Sequence, residues 1–234
     1  MSISGLLSAT FHEPGYCHLV ELVHQRDLEA RRHLASLRVA AYNPSGFLHR
    51  SVEVDPNLGV VDLAILLGPL TPEAVRLFVL FDARYDPDLF PYRPHHYAYL
   101  HGDRSLRPPL YYAVNATLGG VPDRIGTTRF NHFETYLFHQ RSLHQRSALM
   151  LGNPSRFASA RAEVAAFYDV DRVEQAVELP PKAHAEVPLA AEHAGRRLRR
   201  VDLKAPFRLT SYVVGRDGIS GDLVLFDHLF SYFK

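Results

Sequence analysis

The chain carries short motifs in its first half that return in the same order in its second half, and this repetition limits the folds available to it. The first-half motifs are Leu67-Gly68-Pro69, Tyr85-Asp86-Pro87-Asp88, His96, Tyr112-Ala113-Val114 and Phe130-x-His132-x-x-x-Tyr136. The second-half motifs are Leu151-Gly152-Asn153-Pro154, Tyr168-Asp169-Val170-Asp171, His184, Tyr212-Val213-Val214 and Phe226-x-His228-x-x-x-Tyr232. A fixed order of similar segments indicates a duplicated architecture. We therefore expect two repeats, over residues 1–137 and 138–234, the first with an insert near residues 29–59.

Turn-forming residues separate the chain into short apolar segments. They recur evenly, at Asn43-Pro44-Ser45-Gly46, Asp55-Pro56-Asn57, Asp86-Pro87, Gly119-Gly120, Asn153-Pro154-Ser155, Pro180-Pro181 and Asp217-Gly218. This spacing is typical of a β-sandwich or barrel. Within one segment, Arg161 and Glu163 alternate with Ala160, Ala162 and Val164, which predicts a strand with one wet and one buried face. The sequence predicts an all-β fold of two tandem, closely packed sandwich-like repeats with at most one or two short helices.

Helix competes with strand in three segments. Thr71-Pro72-Glu73 has the cap, first-turn proline and early acid of a helix start, and segments 27–38 and 156–168 are rich in Ala, Leu and Arg. The segments that follow Thr71 and Arg156 both run into a Tyr-Asp-x-Asp motif, which is typical of a strand entering an aspartate-rich turn. For these two we favour strands, whereas segment 27–38 stays open between helix and strand.

Charge and cysteine content exclude several classes of partner. The 234 residues include 26 basic and 25 acidic side chains, so the formal charge of +1 creates no field that would attract nucleic acid or an anionic membrane. The longest apolar run, residues 60–70, is too short for a membrane helix. The amino-terminal residues lack the basic start of a secretory signal, and the single cysteine, Cys17, cannot form an internal disulfide. We expect a cytoplasmic protein with no nucleic-acid or membrane partner.

A stripe of tyrosine and histidine is the first candidate binding site. His95, Tyr97, Tyr99 and His101 alternate with apolar residues, so a strand would present all four on one face. Such a face suits the stacking of a sugar or another flat ligand. The alternative is a subunit contact, because tyrosine is also enriched at interfaces between proteins.

The second candidate is a metal site. His132 and Glu134 would share a strand face, and a distant His184 or His228 would complete the two-histidine, one-carboxylate set of non-haem iron enzymes. Iron or zinc would then be the cofactor. The competing interpretation is that these histidines are core or interface residues whose rings bond backbone carbonyls, since a chain with 14 histidines offers many such pairs.

Part of the second half resembles a known family. Leu151-Gly152-Asn153-Pro154, the strand ending Phe167-Tyr168-Asp169, the segment Leu179-Pro-Pro-Lys-Ala-His184 and Leu189 together resemble the strand order of the sensory rhodopsin transducer family. The resemblance implies a cytoplasmic β-sandwich that oligomerises and serves as a binding or signalling accessory rather than as an enzyme. That family has a single short sandwich, whereas this chain is duplicated.

We therefore expect a non-catalytic binding or interaction module without a cofactor, built on a duplicated β-sandwich. Its ligand would be a small molecule such as a carbohydrate, or a signalling partner, and it would form a homo-oligomer. The alternative is a metal-dependent enzyme of the double-stranded β-helix type, related in architecture to cupins. The two differ in geometry, because the enzyme needs its histidines and glutamate to converge on one pocket.

Overall fold

A computed structural model describes residues 4–22, 34–55, 58–68, 76–85, 96–102, 108–116, 132–137, 145–193 and 195–232. Within these residues the chain is nearly all β, with one short helix, α1 (Leu63–Leu67). The predicted all-β fold class is therefore confirmed. The chain divides into two compact units, Met1–Leu118 and Gly119–Lys234. No helix in the described ranges has the length and apolar character needed to cross a membrane.

The first unit contains two antiparallel sheets. Its strands are β1 (Ser4–His12), β2 (Tyr16–Glu21), β3 (Leu34–Tyr42), β4 (Leu48–Val54), β5 (Val60–Asp62), β6 (Leu77–Tyr85), β7 (Tyr97–Gly102), β8 (Leu110–Ala113) and β9 (Asn115–Ala116). Five strands form one sheet in the order β4-β3-β6-β1-β9, and four form the other in the order β5-β2-β7-β8. Side chains of β1 bond side chains of β2 and β8, so the two sheets pack face to face as a β-sandwich.

The second unit has the same arrangement with one addition. Its strands are β10 (His132–Leu137), β11 (Gln145–Gly152), β12 (Ala160–Tyr168), β13 (Asp171–Leu179), β14 (His184–Leu189), β15 (Glu192–His193), β16 (Arg196–Arg197), β17 (Arg200–Ala205), β18 (Thr210–Asp217), β19 (Leu223–His228) and β20 (Phe230–Tyr232). Five strands run in the order β13-β12-β17-β10-β20 and four in the order β14-β11-β18-β19. β15 and β16 form a separate two-stranded ribbon.

The strand orders of the two units superimpose when β1 to β9 are matched in turn with β10 to β14 and then β17 to β20. One pair of backbone hydrogen bonds fixes the residue correspondence. The Val114 amide donates to the His96 carbonyl just before β7 (2.8 Å), and the Leu229 amide donates to the Ser211 carbonyl in β18 (3.3 Å). The repeated topology agrees with a duplicated chain.

β12 shows how alternation builds the core of the second unit. Ala162 and Val164 are buried, whereas Arg161 and Glu163 between them are exposed, as the period-two pattern predicted. The inward residues pack in one apolar cluster with residues of both sheets, including Leu149 from β11. Each buried aliphatic side chain of valine or leucine size contributes about 1.5–3 kcal/mol of transfer free energy. In a helix, residues two positions apart would point to different sides and some would be exposed, so this burial favours the strand.

The boundary between the units differs from the sequence expectation of residue 137. β10 (His132–Leu137) pairs with β17 and β20, so it belongs to the second unit, and the division falls at Leu118. The region near 29–59 is also not an unmatched insert. It contains the β3–β4 hairpin, which has a counterpart in the β12–β13 hairpin. The match is not visible in the sequence, because the two hairpins share few residue types.

Several motif pairs noted in the sequence lie on strands that do not correspond. Tyr112 lies on β8, whereas Tyr212 lies on β18, which is the counterpart of β7. Aromatic and β-branched residues are common in all strands, so a three-residue motif does not fix the correspondence between repeats. The order of the motifs indicated a duplication, but the individual pairings were wrong.

The helical alternatives have different outcomes. β12 begins at Ala160, so the strand favoured for segment 156–168 is confirmed. In segment 27–38 the residues from Leu34 onward belong to β3, while residues 27–33 and the helix start at Thr71 lie outside the described residues. The helix α1 was not predicted. It begins where the Asp62 carboxylate accepts a hydrogen bond from the Ala64 amide (2.8 Å).

Candidate functional site

Tyr97, Tyr99 and His101 lie together on the outer face of β7 in the first unit. Their neighbours Ala98 and Leu100 are buried in the sandwich, whereas Tyr99 is 43% exposed. His95, the fourth residue of the predicted stripe, lies outside the described residues. Strand alternation therefore gives the three described residues a common, solvent-facing surface.

β8 adds a third tyrosine to this surface. Tyr111 lies opposite Tyr99 in the pairing of β7 with β8, and their ring centroids are 4.6 Å apart. The Tyr111 ring also stacks on Tyr97, with centroids 5.3 Å apart and planes 8° from parallel. Tyr111 is 48% exposed. We call Tyr97, Tyr99 and Tyr111 the tyrosine face.

Tyr111 could not be predicted as part of this site, because its place in the tyrosine face depends on how β8 pairs with β7. No local pattern specifies that pairing. The only sequence signal was the Tyr111-Tyr112 pair, in which one ring of a strand must point inward and the other outward. Tyr112 is the inward ring and is buried.

Polar groups border the tyrosine face. Glu21 of β2 lies opposite Tyr97, and Cys17 of β2 lies opposite His101. Burial, followed by the neighbouring Tyr99 and the Glu21 carboxylate, raises the pKa of Tyr111. The phenol is therefore protonated at neutral pH and can donate a hydrogen bond, while a carboxylate can accept one. The surface thus offers aromatic rings, a phenol donor and a carboxylate acceptor.

The predicted pair of His132 and Glu134 forms in the second unit. His132 Nε2 lies 2.9 Å from Glu134 Oε1, and the carboxylate is fully buried. Ser211 Oγ donates to the other carboxylate oxygen, Oε2. Arg208 Nε lies 3.8 Å from Oε1. The carboxylate is thus held by an imidazole, a hydroxyl and a guanidinium.

The complete metal-ligand set is not assembled. His132 and Glu134 lie on the five-stranded sheet, whereas His184 on β14 and His228 on β19 lie on the four-stranded sheet. Within the described residues, no group of three or more histidine, cysteine, aspartate or glutamate side chains is placed to hold a metal ion. Neither distant histidine therefore joins the pair to bind the expected iron or zinc, and both oxygens of Glu134 contact protein groups instead.

A buried polar chain links the two sheets of the first unit. His18 Nε2 lies 2.7 Å from the Tyr112 hydroxyl, which lies 2.7 Å from Thr10 Oγ1. His12 Nδ1 lies 3.5 Å from His18 Nδ1. Burial, with a smaller effect of His12, lowers the pKa of His18 to about 3. Burial also lowers the pKa of His12 to about 4, although nearby Glu13 opposes the change.

The two units also carry polar links at corresponding positions. In the first, Ser8 Oγ lies 3.2 Å from His96 Nδ1. In the second, Glu134 bonds Ser211. Ser211 corresponds to His96 through the backbone bonds described above, and Glu134 corresponds to Ser8 because both pair with the last strand of their sheet at the same register. Both units thus keep a polar contact between their sheets at this position, although the residue types differ. This favours a structural role for the contact in joining the sheets.

Comparisons with known protein families, with curated proteins and with solved structures find no match to this chain. Function is therefore inferred from geometry. The polar chain and both polar links are buried between sheets, where they bond other protein groups. The tyrosine face is open to solvent and can meet a ligand without rearrangement of the sandwich.

Proposed function

We propose that the protein is a non-catalytic binding module that holds a sugar ring of an oligosaccharide on the tyrosine face. The observation that supports this most directly is the contact between Tyr99 and Tyr111, two rings that touch each other and remain nearly half exposed. Soluble proteins seldom leave large apolar side chains grouped at the surface unless the group has a binding role.

The arrangement of the rings favours binding because it is already formed. Tyr111 contacts both Tyr97 and Tyr99, and all three extend from strands that pair within one sheet. Little side-chain freedom is left to lose when a ligand stacks on them, so less of the interaction energy is offset by ordering. Tyrosine also combines an apolar ring with a hydroxyl, which matches the apolar faces and hydroxyl edges of a sugar.

The charge at the border favours a sugar over a second copy of the chain. Glu21 lies directly opposite Tyr97, next to the rings. Charged residues are depleted from the centres of protein interfaces because their desolvation is costly, whereas a sugar hydroxyl satisfies a carboxylate directly. The resemblance to the sensory rhodopsin transducer family, which implies a binding accessory, agrees with this choice but does not select the ligand.

Binding of soluble neutral oligosaccharides, measured by isothermal titration calorimetry, tests the proposal. Tyr99→Ala and Tyr111→Ala should each raise the Kd of a bound sugar by about tenfold, since an aromatic contact of this kind contributes about 1 kcal/mol or more. Glu21→Gln should weaken binding less. Phe157→Ala is the matched control, because Phe157 is an exposed aromatic residue of the second unit, outside the tyrosine face.

Two results would overturn the proposal. One is that no oligosaccharide binds the wild-type protein, and the other is that Tyr99→Ala and Phe157→Ala have the same effect. Sedimentation equilibrium of the same variants identifies the competing occupant. Self-association that is lost in Tyr99→Ala, with no sugar bound, would make the tyrosine face a subunit interface.

A further inference from the structure

A groove of about 400 Å³ lies on the outer face of the five-stranded sheet in the second unit. Its walls come from β10, β12, β13 and β17, and its lining includes two small residues, Ala165 and Ala176. A volume of this size is in the range of pockets that hold small ligands. The groove belongs to a different unit from the tyrosine face.

The strand register explains why this surface is concave. Ala165 lies between Glu174 and Asp202 on the neighbouring strands, and Ala176 lies opposite Glu163. The alanine side chains end at Cβ, whereas the acidic and basic side chains around them extend further from the sheet. The centre is therefore low and its border is charged.

The charges around the groove are balanced. Three basic and three acidic side chains line it: Arg161, Arg172, Lys204, Glu163, Glu174 and Asp202. Their formal charges cancel, so the groove has no net charge to attract a simple anion or a simple cation. It does present both signs within one small space. A ligand that carries both an ammonium and a carboxylate group matches this pattern.

One ion pair in the lining of the groove, between β12 and β17, is weak enough to be replaced by contacts with a ligand. Lys204 Nζ lies 4.0 Å from Glu163 Oε2, and the two side chains are 68% and 58% exposed. An exposed pair at this distance contributes little to stability, so exchanging it for contacts with a ligand costs little. Asp202 differs, because its carboxylate accepts a hydrogen bond from Thr135 Oγ1 (2.6 Å) and pairs with Arg200 (3.1 Å).

We propose that this groove binds a zwitterionic ligand, namely a free amino acid or a short peptide with free ends. Glu163 binds the ammonium group of the ligand, and Lys204 binds its carboxylate. The apolar part of the ligand lies over Ala165, beside Phe133. Asp202 keeps its protein partners and fixes the wall of the groove.

Calorimetric titration with three probes tests this assignment: dialanine, N-acetyl-dialanine and dialanine amide. Removing either end charge of the probe should weaken binding to the wild-type protein by about two- to fivefold, because ion pairs with side chains as exposed as those of Glu163 and Lys204 are weak. Glu163→Gln should abolish the preference for the free amine and keep the preference for the free carboxylate. Lys204→Gln should do the reverse. Arg146→Gln, an exposed substitution on β11 of the other sheet, should change neither preference.

This crossed pattern separates a ligand contact from a structural effect. A variant that merely distorts the sheet would weaken all probes equally. The proposal is wrong if none of the probes, and none of the twenty amino acids, binds the wild-type protein with a millimolar or lower Kd. It is also wrong if the acetylated and amidated probes bind as well as dialanine. Because the groove and the tyrosine face are separate, Tyr99→Ala should leave dialanine binding unchanged.

Discussion

Burial of His12 and His18 couples the stability of the first unit to pH. Their pKa values, about 4 and about 3, lie below the ordinary value of 6.5, so the unfolded chain binds more protons than the folded one at mildly acidic pH. The carboxylates of Glu13 and Asp62 raise the pKa of His12 but do not outweigh burial, and His12 adds a smaller decrease to the pKa of His18. The folded first unit therefore requires both histidines to be neutral.

We predict that the free energy of unfolding falls as the pH drops from 7 to 5. The loss begins near 6.5 and approaches about 1.4 kcal/mol per pH unit for each histidine, continuing toward the folded pKa values. Urea unfolding followed by tyrosine fluorescence measures it. His18→Gln should reduce the slope, whereas His49→Gln, at an exposed position of β4, should not. Equal slopes in all three proteins would contradict the prediction.

The adjacent residues Tyr111 and Tyr112 offer a matched pair of substitutions. Tyr112→Phe removes a hydroxyl that serves both Thr10 and His18 in the core, and buried groups deprived of a partner cost about 1–3 kcal/mol. Tyr111→Phe removes a hydroxyl on the exposed tyrosine face and should change stability by less than about 0.5 kcal/mol. Thermal unfolding of both variants measures the difference, and equal melting temperatures would refute it.

Residues that share a strand face could be predicted from the sequence, and residues that meet across strands could not. Tyr97, Tyr99 and His101 share β7, so a period of two was sufficient to group them. Tyr111 joins them only through the pairing of β8, and His18 meets Tyr112 although 94 positions separate them. A single sequence does not specify which strands pair or which residues lie opposite each other.

At the scale of elements, Asn153 holds together the turns at the end of the second sandwich. Its amide nitrogen donates to the carbonyls of Ala158 (2.8 Å) and Leu179 (2.9 Å), and its oxygen accepts from the Ser155 amide (2.9 Å). The side chain is fully buried. It satisfies backbone groups that no strand ladder reaches at this point.

Asn153→Ala should therefore lower the free energy of unfolding by at least about 2 kcal/mol, because it leaves several buried backbone groups without a partner. The matched control is Asn43→Ala. Asn43 also follows a strand, but its oxygen caps the exposed turn amides of Ser45 and Phe47, so its loss should cost less than about 1 kcal/mol. Denaturant titration of the two variants compares them, and a larger cost for Asn43→Ala would contradict this interpretation.

Elements with a strong period could be predicted, whereas short elements could not. β12 places Arg161 and Glu163 between small apolar residues, and its burial alternates over nine positions, which excludes a helix with one apolar face. α1 has only five residues, Leu63–Leu67, in an apolar stretch that continues β5, so its composition resembles that of a strand. Its formation depends on the cap from Asp62, a feature that many turns share.

At the scale of the whole molecule, the two units share a strand order but not a chemistry. Corresponding positions carry Ser8 and His96 in one unit and Glu134 and Ser211 in the other. The order of the motifs led to the prediction of a repeat, but the paired motifs lie on strands that do not correspond, so the shared strand order is a finding of the structure alone. The boundary between the units could not be placed from the sequence, because β10 is assigned by long-range pairing with β17 and β20, although the turn-forming pair Gly119-Gly120 lies at the division.

The assignment of β10 to the second unit predicts how fragments of the chain behave. A fragment of residues 119–234 retains every strand pairing of its two sheets, so it should unfold cooperatively on heating. A fragment of residues 138–234 lacks β10, which leaves β20 without its pairing partner and exposes one edge of β17. It also loses Glu134, the buried partner of Ser211, and Tyr136, which packs against the core. The shorter fragment should therefore melt at a lower temperature or lack a cooperative transition. Circular dichroism on heating and the dispersion of amide proton chemical shifts measure this. Equal stability of the two fragments would contradict the assignment of β10 to the second unit.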